Sequence, residues 1–156
     1  MKTRLFYVLL CLMSMHLTTK AAINKLTNTP DSVYLFSYAT QDDDGRSGLR
    51  MAWSNDGQQW FDVGQGYGFV RCDYGRWGSQ KKMLAPSLNR QPDGKWICIW
   101  KLNDQDGYGQ AVSADLVQWD SQTYPRTTAK YKAPQTNAEI NGRQQTGSVN
   151  RVSWPV

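Results

Sequence analysis

"MAWSNDGQQW", Met51 to Trp60, and "QAVSADLVQW", Gln110 to Trp119, stand fifty-nine positions apart and share one skeleton, Ala-x-Ser-x-Asp-x-x-Gln-Trp. Ser54-x-Asp56 and Ser113-x-Asp115 suit a polar turn in which short side chains satisfy nearby amides. The tryptophan that follows returns the chain to apolar surroundings. The likeness reaches further back, from Pro30 in one copy and Pro92 in the other. Each copy opens on Pro-Asp and continues with a strand-like alternation, Tyr34, Phe36 and Tyr38 or Trp96, Cys98 and Trp100. An Asp-rich turn follows, "QDDDG" or "NDQDG", then a second short strand and the Ser-x-Asp corner. A single gap of three residues near Arg46 aligns the two.

Composition agrees with an all-β chain. There are seven Trp and eight Tyr, and the thirteen acids are twelve Asp and one Glu, Glu139. Asp belongs to turns and Glu to helices. Period-2 alternation with aromatic and β-branched residues marks strands. One four-stranded unit is predicted over Leu84–Arg90, Trp96–Leu102, Gly109–Ser113 and Gln118–Thr123. Four-stranded sheets repeated along a chain are propeller blades, and two similar hairpins within a β-sandwich are the competing architecture. The expected fold is thus a partial β-propeller of about two antiparallel blades, the first over 30–66 and the second over 67–125. Residues 126–156 show no matching hairpin and are expected to be irregular. Two blades do not close a ring, so the chain is expected to be part of a larger propeller.

The front end has the pattern of an export signal over 1–21. Lys2 and Arg4 precede an apolar run from Leu5 to Leu17 and a small, polar "TTKAA". That run is shorter than the ~20 residues that span a bilayer. Cys11 is a poor lipoprotein site, because Leu10 stands where a small residue is wanted. The expected location is secreted or periplasmic, with no membrane association after cleavage. His16 is the one histidine, so a processed chain has none. This excludes a Ser-His-Asp triad, a Cys-His dyad and histidine-containing metal sites built by this chain alone. Removing Lys2, Arg4 and Lys20 leaves fifteen cationic against thirteen acidic side chains, a net charge of about +2. No Lys/Arg stripe remains, which argues against nucleic acid. Cys72 and Cys98 could pair or stay as thiols.

"GLRMAWSNDGQQW", "APSLNRQPDGKW" and "SADLVQW" resemble the five-bladed β-propeller glycosidases of glycoside hydrolase family 43 and their relatives. The resemblance covers about Ser32 to Tyr124. It implies a carbohydrate-active protein of the arabinosidase or xylosidase kind, acting on plant-type polysaccharide without a cofactor. Members of that family invert with an Asp base, a Glu acid and a second Asp that tunes the acid, and inversion needs two carboxyls ~6.5–9.5 Å apart. This chain departs from the pattern. The stretch matching the base is "AAINKLTNT", without a carboxylate, and Ser87 follows Ala85-Pro86 where the tuning Asp is expected. Asp31 falls in a turn, equivalent to Asp93, and Glu139 lies in the unmatched tail. No catalytic residue can be assigned, and a catalytically silent carbohydrate-binding propeller is the alternative.

The sugar-binding candidates come from the connector "CDYGRWGSQKKM", Cys72 to Met83. Asp73, Tyr74, Arg76 and Trp77 offer an aromatic face for C–H groups and polar groups for hydroxyls. The same residues could instead plug a gap between blades, with Arg76 paired to Asp73. Ser87 and Asn89 join the candidates if their strand turns that face to the funnel. The three aspartates of "QDDDGRSG", Gln41 to Gly48, lack the spacing of an EF-hand and are expected to form a solvated hairpin tip. No metal site is expected.

Overall fold

A computed structural model of the chain describes residues 31–102, 107–125 and 134–153. The expected signal, with Cys11 and His16, and the stretch Ala21 to Thr29 lie outside the described residues. The protein is all-β, a partial propeller of two antiparallel sheets. The strands are β1 (Ser32–Tyr38), β2 (Arg50–Ser54), β3 (Phe61–Val63), β4 (Leu84–Arg90), β5 (Trp96–Lys101), β6 (Tyr108–Ser113), β7 (Thr136–Ile140) and β8 (Arg143–Ser153). The first sheet has the order β3-β2-β1-β8-β7 and the second the order β4-β5-β6.

The repeat is carried residue by residue. Tyr34, Phe36 and Tyr38 of β1 register with Ser54, Ala52 and Arg50 of β2. Trp96, Cys98 and Trp100 of β5 register in the same way with Ser113, Ala111 and Gly109 of β6. The three-residue gap is confined to the loop between the paired strands, where a longer turn leaves the register unchanged. In each sheet these aromatic positions define a front face, and the alternate positions (Leu35 and Ser37, Ile97 and Ile99) define a back face.

The two corners are the same hydrogen-bonded object. Ser54 Oγ accepts from Gly57 N at 2.9 Å, and Asp56 Oδ1 accepts from Gln58 N and Gln59 N at 2.8 and 2.9 Å. Ser113 Oγ accepts from Leu116 N at 2.8 Å, and Asp115 Oδ1 accepts from Val117 N and Gln118 N at 2.9 and 2.8 Å. In each, the serine hydroxyl donates to the aspartate. These amide donors hold both carboxyls below the usual range, the Gln59 amide first for Asp56 and the Gln118 amide first for Asp115. A depressed folded-state pKa means that the stabilisation is present above the unfolded carboxyl value and is lost as pH falls through the folded one. Ser113 is buried, and Ser113→Ala leaves its amides without an acceptor. Urea titration at pH 7 is expected to show a loss of about 1–3 kcal/mol; an unchanged midpoint would mean that the corner is held by something else.

The front of the second sheet packs on the back of the first. Val33, Leu35 and Met51 from the first, with Leu88, Cys98 and Trp100 from the second, share one core, against which Trp119 packs. Trp100 fits because Gly109 stands opposite it: a Cβ there would collide with the indole. Cys72 and Cys98 are free, buried thiols, so their pairing does not occur. Burial pushes the Cys98 thiol up, which keeps it protonated and unreactive.

Residues 136–153 differ from the expectation of an irregular tail. Asn141 (φ 52°) and Gly142 (φ 74°) make a tight turn, the combination that suits a two-residue hairpin. The hairpin pairs Ile140 with Arg143 and Ala138 with Gln145. β8 then pairs with β1 from Ser32–Ser153 to Tyr38–Gly147, taking in the first sheet the place that β4 takes in the second. Its "SVNR", Ser148 to Arg151, repeats the "SLNR" of Ser87 to Arg90. Even the ring contacts repeat, with Arg90 over Trp96 at 5.5 Å and Arg151 over Tyr34 at 5.9 Å. Ser148 Oγ donates to Pro86 O and Asn150 Nδ2 to Leu88 O, each at 2.8 Å. These bonds join the inner strands of the two sheets.

The fourth strand expected over Gln118–Thr123 is reduced to one bridge, between Thr123 and Gln110. Asp120 N bonds Val112 O, and Thr123 N bonds Gln110 O. Three steps of chain therefore oppose two on β6, and such an extra residue breaks a ladder. The Asp-rich turn is a solvated hairpin loop as expected, with Gln41, Asp42 and Asp44 exposed, and it is tied to its neighbours. Asp42 pairs with Arg143 and Asp44 with Lys82, while Gly45 O accepts from Met83 N at 3.1 Å.

Candidate functional site

The front face of the first sheet has no second sheet packed on it among the described residues. The sheet is curled, with β3 and β7 at its two edges. Phe36, Tyr38, Ala52, Ala138 and Ile140 form a small apolar floor, with Trp60 packed against it. Trp60 meets Phe36 at 5.3 Å between ring centroids. Above this floor lies a cavity of about 660 Å³, lined by Tyr38, Arg50, Trp60, Asp62 and Gln145, with the Asp42–Arg143 pair at its wall. That volume lies within the ~300–1,000 Å³ of small-ligand sites.

Each polar side chain arrives by strand parity. Tyr38 and Arg50 are a registered pair on β1 and β2. Asp62 sits on β3 opposite Ala52, and Gln145 on β8 is opposite Ala138. Tyr38 Oη donates to Asp62 Oδ1 at 3.3 Å. Burial, then the Asp62 charge, pushes the Tyr38 hydroxyl up to about 12, so it stays a donor at neutral pH. Arg50 Nη2 donates to Ser47 Oγ at 3.1 Å. Among the described residues five buried side-chain atoms have no hydrogen-bond partner. Two of them belong to lining residues, Arg50 Nε (a donor) and Gln145 Oε1 (an acceptor); the others are Asp43 Oδ1 and the indole nitrogens of Trp100 and Trp119. Gln145 is 8 % exposed. A buried polar atom without a partner is costly, and such atoms gather where a ligand or water completes them.

The repeat supplies an internal control. Trp100 and Gly109 hold in the second sheet the register positions of Tyr38 and Arg50. There the indole fills the space and the face is solid core. In the first sheet the same positions carry a phenol and a guanidinium over a hollow. One scaffold is packed solid in one unit and leaves a polar-lined hollow in the other.

The connector candidates gather elsewhere. Tyr124 Oη donates to Asp73 Oδ1, Asp73 N donates to Gln122 Oε1 at 3.1 Å, and Tyr74 packs on Tyr124 with centroids 4.9 Å apart. Tyr124 in turn meets Trp100 edge-on at 6.3 Å. Burial and the Asp73 hydrogen bond push the Tyr124 hydroxyl up. The backbone amides of Arg76 and Trp77 both donate to Gln80 Oε1. Tyr74 and Trp77 are 48 % and 66 % exposed, so neither plugs a gap between sheets. Ser87 is buried on the back face of β4, with Asn89 Nδ2 near its hydroxyl at 3.5 Å. They register with back-face Ile99 and Ile97, whereas Tyr124 lies against front-face Trp100. Ser87 and Asn89 are also the repeat equivalents of Ser148 and Asn150, which bond one inner strand to the next.

Sequence reasoning passed over Tyr38, Arg50, Trp60, Asp62 and Gln145. The available signal was divergence inside the repeat, Tyr38 and Arg50 against Trp100 and Gly109. Of the carboxylates discussed from the sequence, Asp93 accepts from Lys95 N in its turn at 3.0 Å, and Glu139 is exposed on β7. Among the described residues no three His, Cys, Asp or Glu side chains converge as a metal site would require. No family model, curated protein or solved structure matches this chain.

Proposed function

We propose that this protein is an exported carbohydrate-active propeller module, of the kind its sequence resembles, and that it holds plant-type polysaccharide through the front-face cleft. The observation that carries the reading is the hollow itself, lined by Tyr38, Arg50, Trp60, Asp62 and Gln145, at the position that the sister unit fills with tryptophan. A sugar hydroxyl is at once donor and acceptor, so it suits a lining that carries both kinds of side chain, Tyr38 and Arg50 as donors and Asp62 as acceptor. Trp60 and the Tyr38 ring provide apolar faces for sugar C–H groups. Tyr38 Oη, Asp62 and Arg50 surround them with directed polar groups. Binding is better supported than hydrolysis, because Ser87 follows Ala85-Pro86 where the family pattern places a carboxylate.

The test is calorimetric titration with oligosaccharides from xylan, arabinan and galactan, paired with a reducing-sugar assay. At least one series is expected to bind, and Trp60→Ala is expected to weaken it about tenfold, the size of a good aromatic contact of ~1.5 kcal/mol. Folded protein that binds none of the three would sink the proposal. Release of reducing sugar would replace the silent reading with the hydrolytic one.

A further inference from the structure

The seam between the two sheets follows a pattern that the chain leaves open at both ends. Inside the chain the back of the first sheet meets the front of the second, and Asn150 Nδ2 of β8 donates to Leu88 O of β4 at 2.8 Å. Asn89 holds on β4 the place of Asn150 on β8, and Val149 holds on β8 the place of Leu88 on β4. Neither has the neighbour that its counterpart has. Among the described residues Asn89 Nδ2 reaches only Ser87 Oγ, at 3.5 Å, from an exposed position. Val149 is 37 % exposed, whereas Leu88 is 0 % exposed. The sheet faces differ in the same sense. Leu35 is buried in the seam, while its equivalent Ile97, on the back of the second sheet, is only half-buried beside its registered partner Val112.

We infer that a second copy of this chain completes the pattern. The back of its second sheet docks on the front of the first sheet, its Asn89 Nδ2 donates to Val149 O, and its Ile97 and Val112 cover the Val149 side chain. A copy fits better than an unrelated partner, because the donor and the acceptor left open are the two halves of one bond that the chain already makes. β7 leaves room for it: the pairing of β7 with β8 ends at Thr136–Gly147, short of Val149. The contact joins unlike faces, and a heterologous contact repeats until it closes a ring or runs on as a filament. Propellers close with roughly four to eight blades. Each copy brings two sheets, so a ring takes about two to four copies. Gln145 and Val149 share the front of β8, so the docked copy borders the cleft. Tyr38 and Arg50 keep hollow, in this outer seam, the place that Trp100 and Gly109 fill in the inner one.

The experiment is sedimentation velocity on the full chain without sugar, from micromolar to millimolar concentration. The protein is expected to pass from monomer to a species of about two to four copies. Val149→Glu and Asn89→Glu each alter an exposed side chain, one on each of the two opposed faces. Each buries an unpaired carboxylate in the seam and is expected to weaken association at least tenfold, while thermal melts confirm that the variant is folded. Every contact needs one front and one back, so either variant alone spoils all contacts in its solution. An equimolar mixture restores a single sound pairing, the front of the Asn89→Glu chain on the back of the Val149→Glu chain. It is expected to give one-to-one dimers and nothing larger. An unaltered protein that stays monomeric throughout, an assembly that survives either substitution, or a mixture without dimers overturns the inference. None of these readouts involves a sugar, so the glycan reading stands or falls apart from them.

Discussion

Trp100→Ala is expected to destabilise the fold by about 3–5 kcal/mol, the range for removing a fully buried aromatic side chain. Trp100 is 0 % exposed. Its ring lies against Gly109 and meets Tyr124 edge-on, and it belongs to the core that joins the two sheets. Small domains have only ~5–15 kcal/mol in hand, so the variant should unfold at markedly lower urea. Collapse of neighbours into the hole is limited, because Gly109 has no side chain to move in. The Trp100 indole nitrogen has no hydrogen-bond partner, which argues for the lower half of the range. A loss below about 1 kcal/mol would mean that the sheets do not pack through this face.

The second large effect separates binding from stability. Gln145→Leu is expected to leave stability unchanged or raise it by about 1 kcal/mol, since the substitution removes a buried carbonyl oxygen that has no partner. The same change should weaken glycan binding at least tenfold, by replacing a polar side chain of the cleft lining with an apolar one. A residue placed for packing behaves in the opposite sense: truncating it lowers stability, and binding follows only through unfolding. Urea midpoints and calorimetric affinities measured on the same preparation decide between them. A variant that is less stable by 2 kcal/mol or more, yet binds as before, would return Gln145 to the scaffold. Functional sites commonly carry this signature, because groups left unsatisfied for a ligand are held at the expense of the empty protein.

Much of the architecture was legible from residue order. The strand Leu84–Arg90 was bounded correctly, and β5 and β6 to within a residue, because alternating aromatics between Pro-Asp and Ser-x-Asp leave little freedom of register. The Ser-x-Asp corners were legible as well, since the serine and aspartate bond amides within four residues of themselves. The tail was misread although two local cues were present. Asn141-Gly142 is a strong hairpin signal, and "SVNR" copies "SLNR". The copy went unseen because β8 follows its unit instead of opening it: a C-terminal strand pairs here with the first one, which order along the chain does not announce.

The site divides in the same way. Residue order sets what is local: which side chains share a face, where the corners turn, and which positions of one unit answer to those of the other. Tyr38 and Arg50 are separated by a loop, and Gln145 comes from a strand about a hundred residues later, so their meeting depends on β8 entering the first sheet and on the curl that brings β3 and β7 around it. Connector residues such as Tyr74 and Trp77 look like a sugar platform in one dimension. In three dimensions Tyr74 packs on Tyr124, and the polar hollow lies on the face that the second sheet does not cover. Burial and hydrogen-bond satisfaction are properties of the packed whole, which is why Arg50 and Gln145 became visible as candidates only once the sheets were assembled.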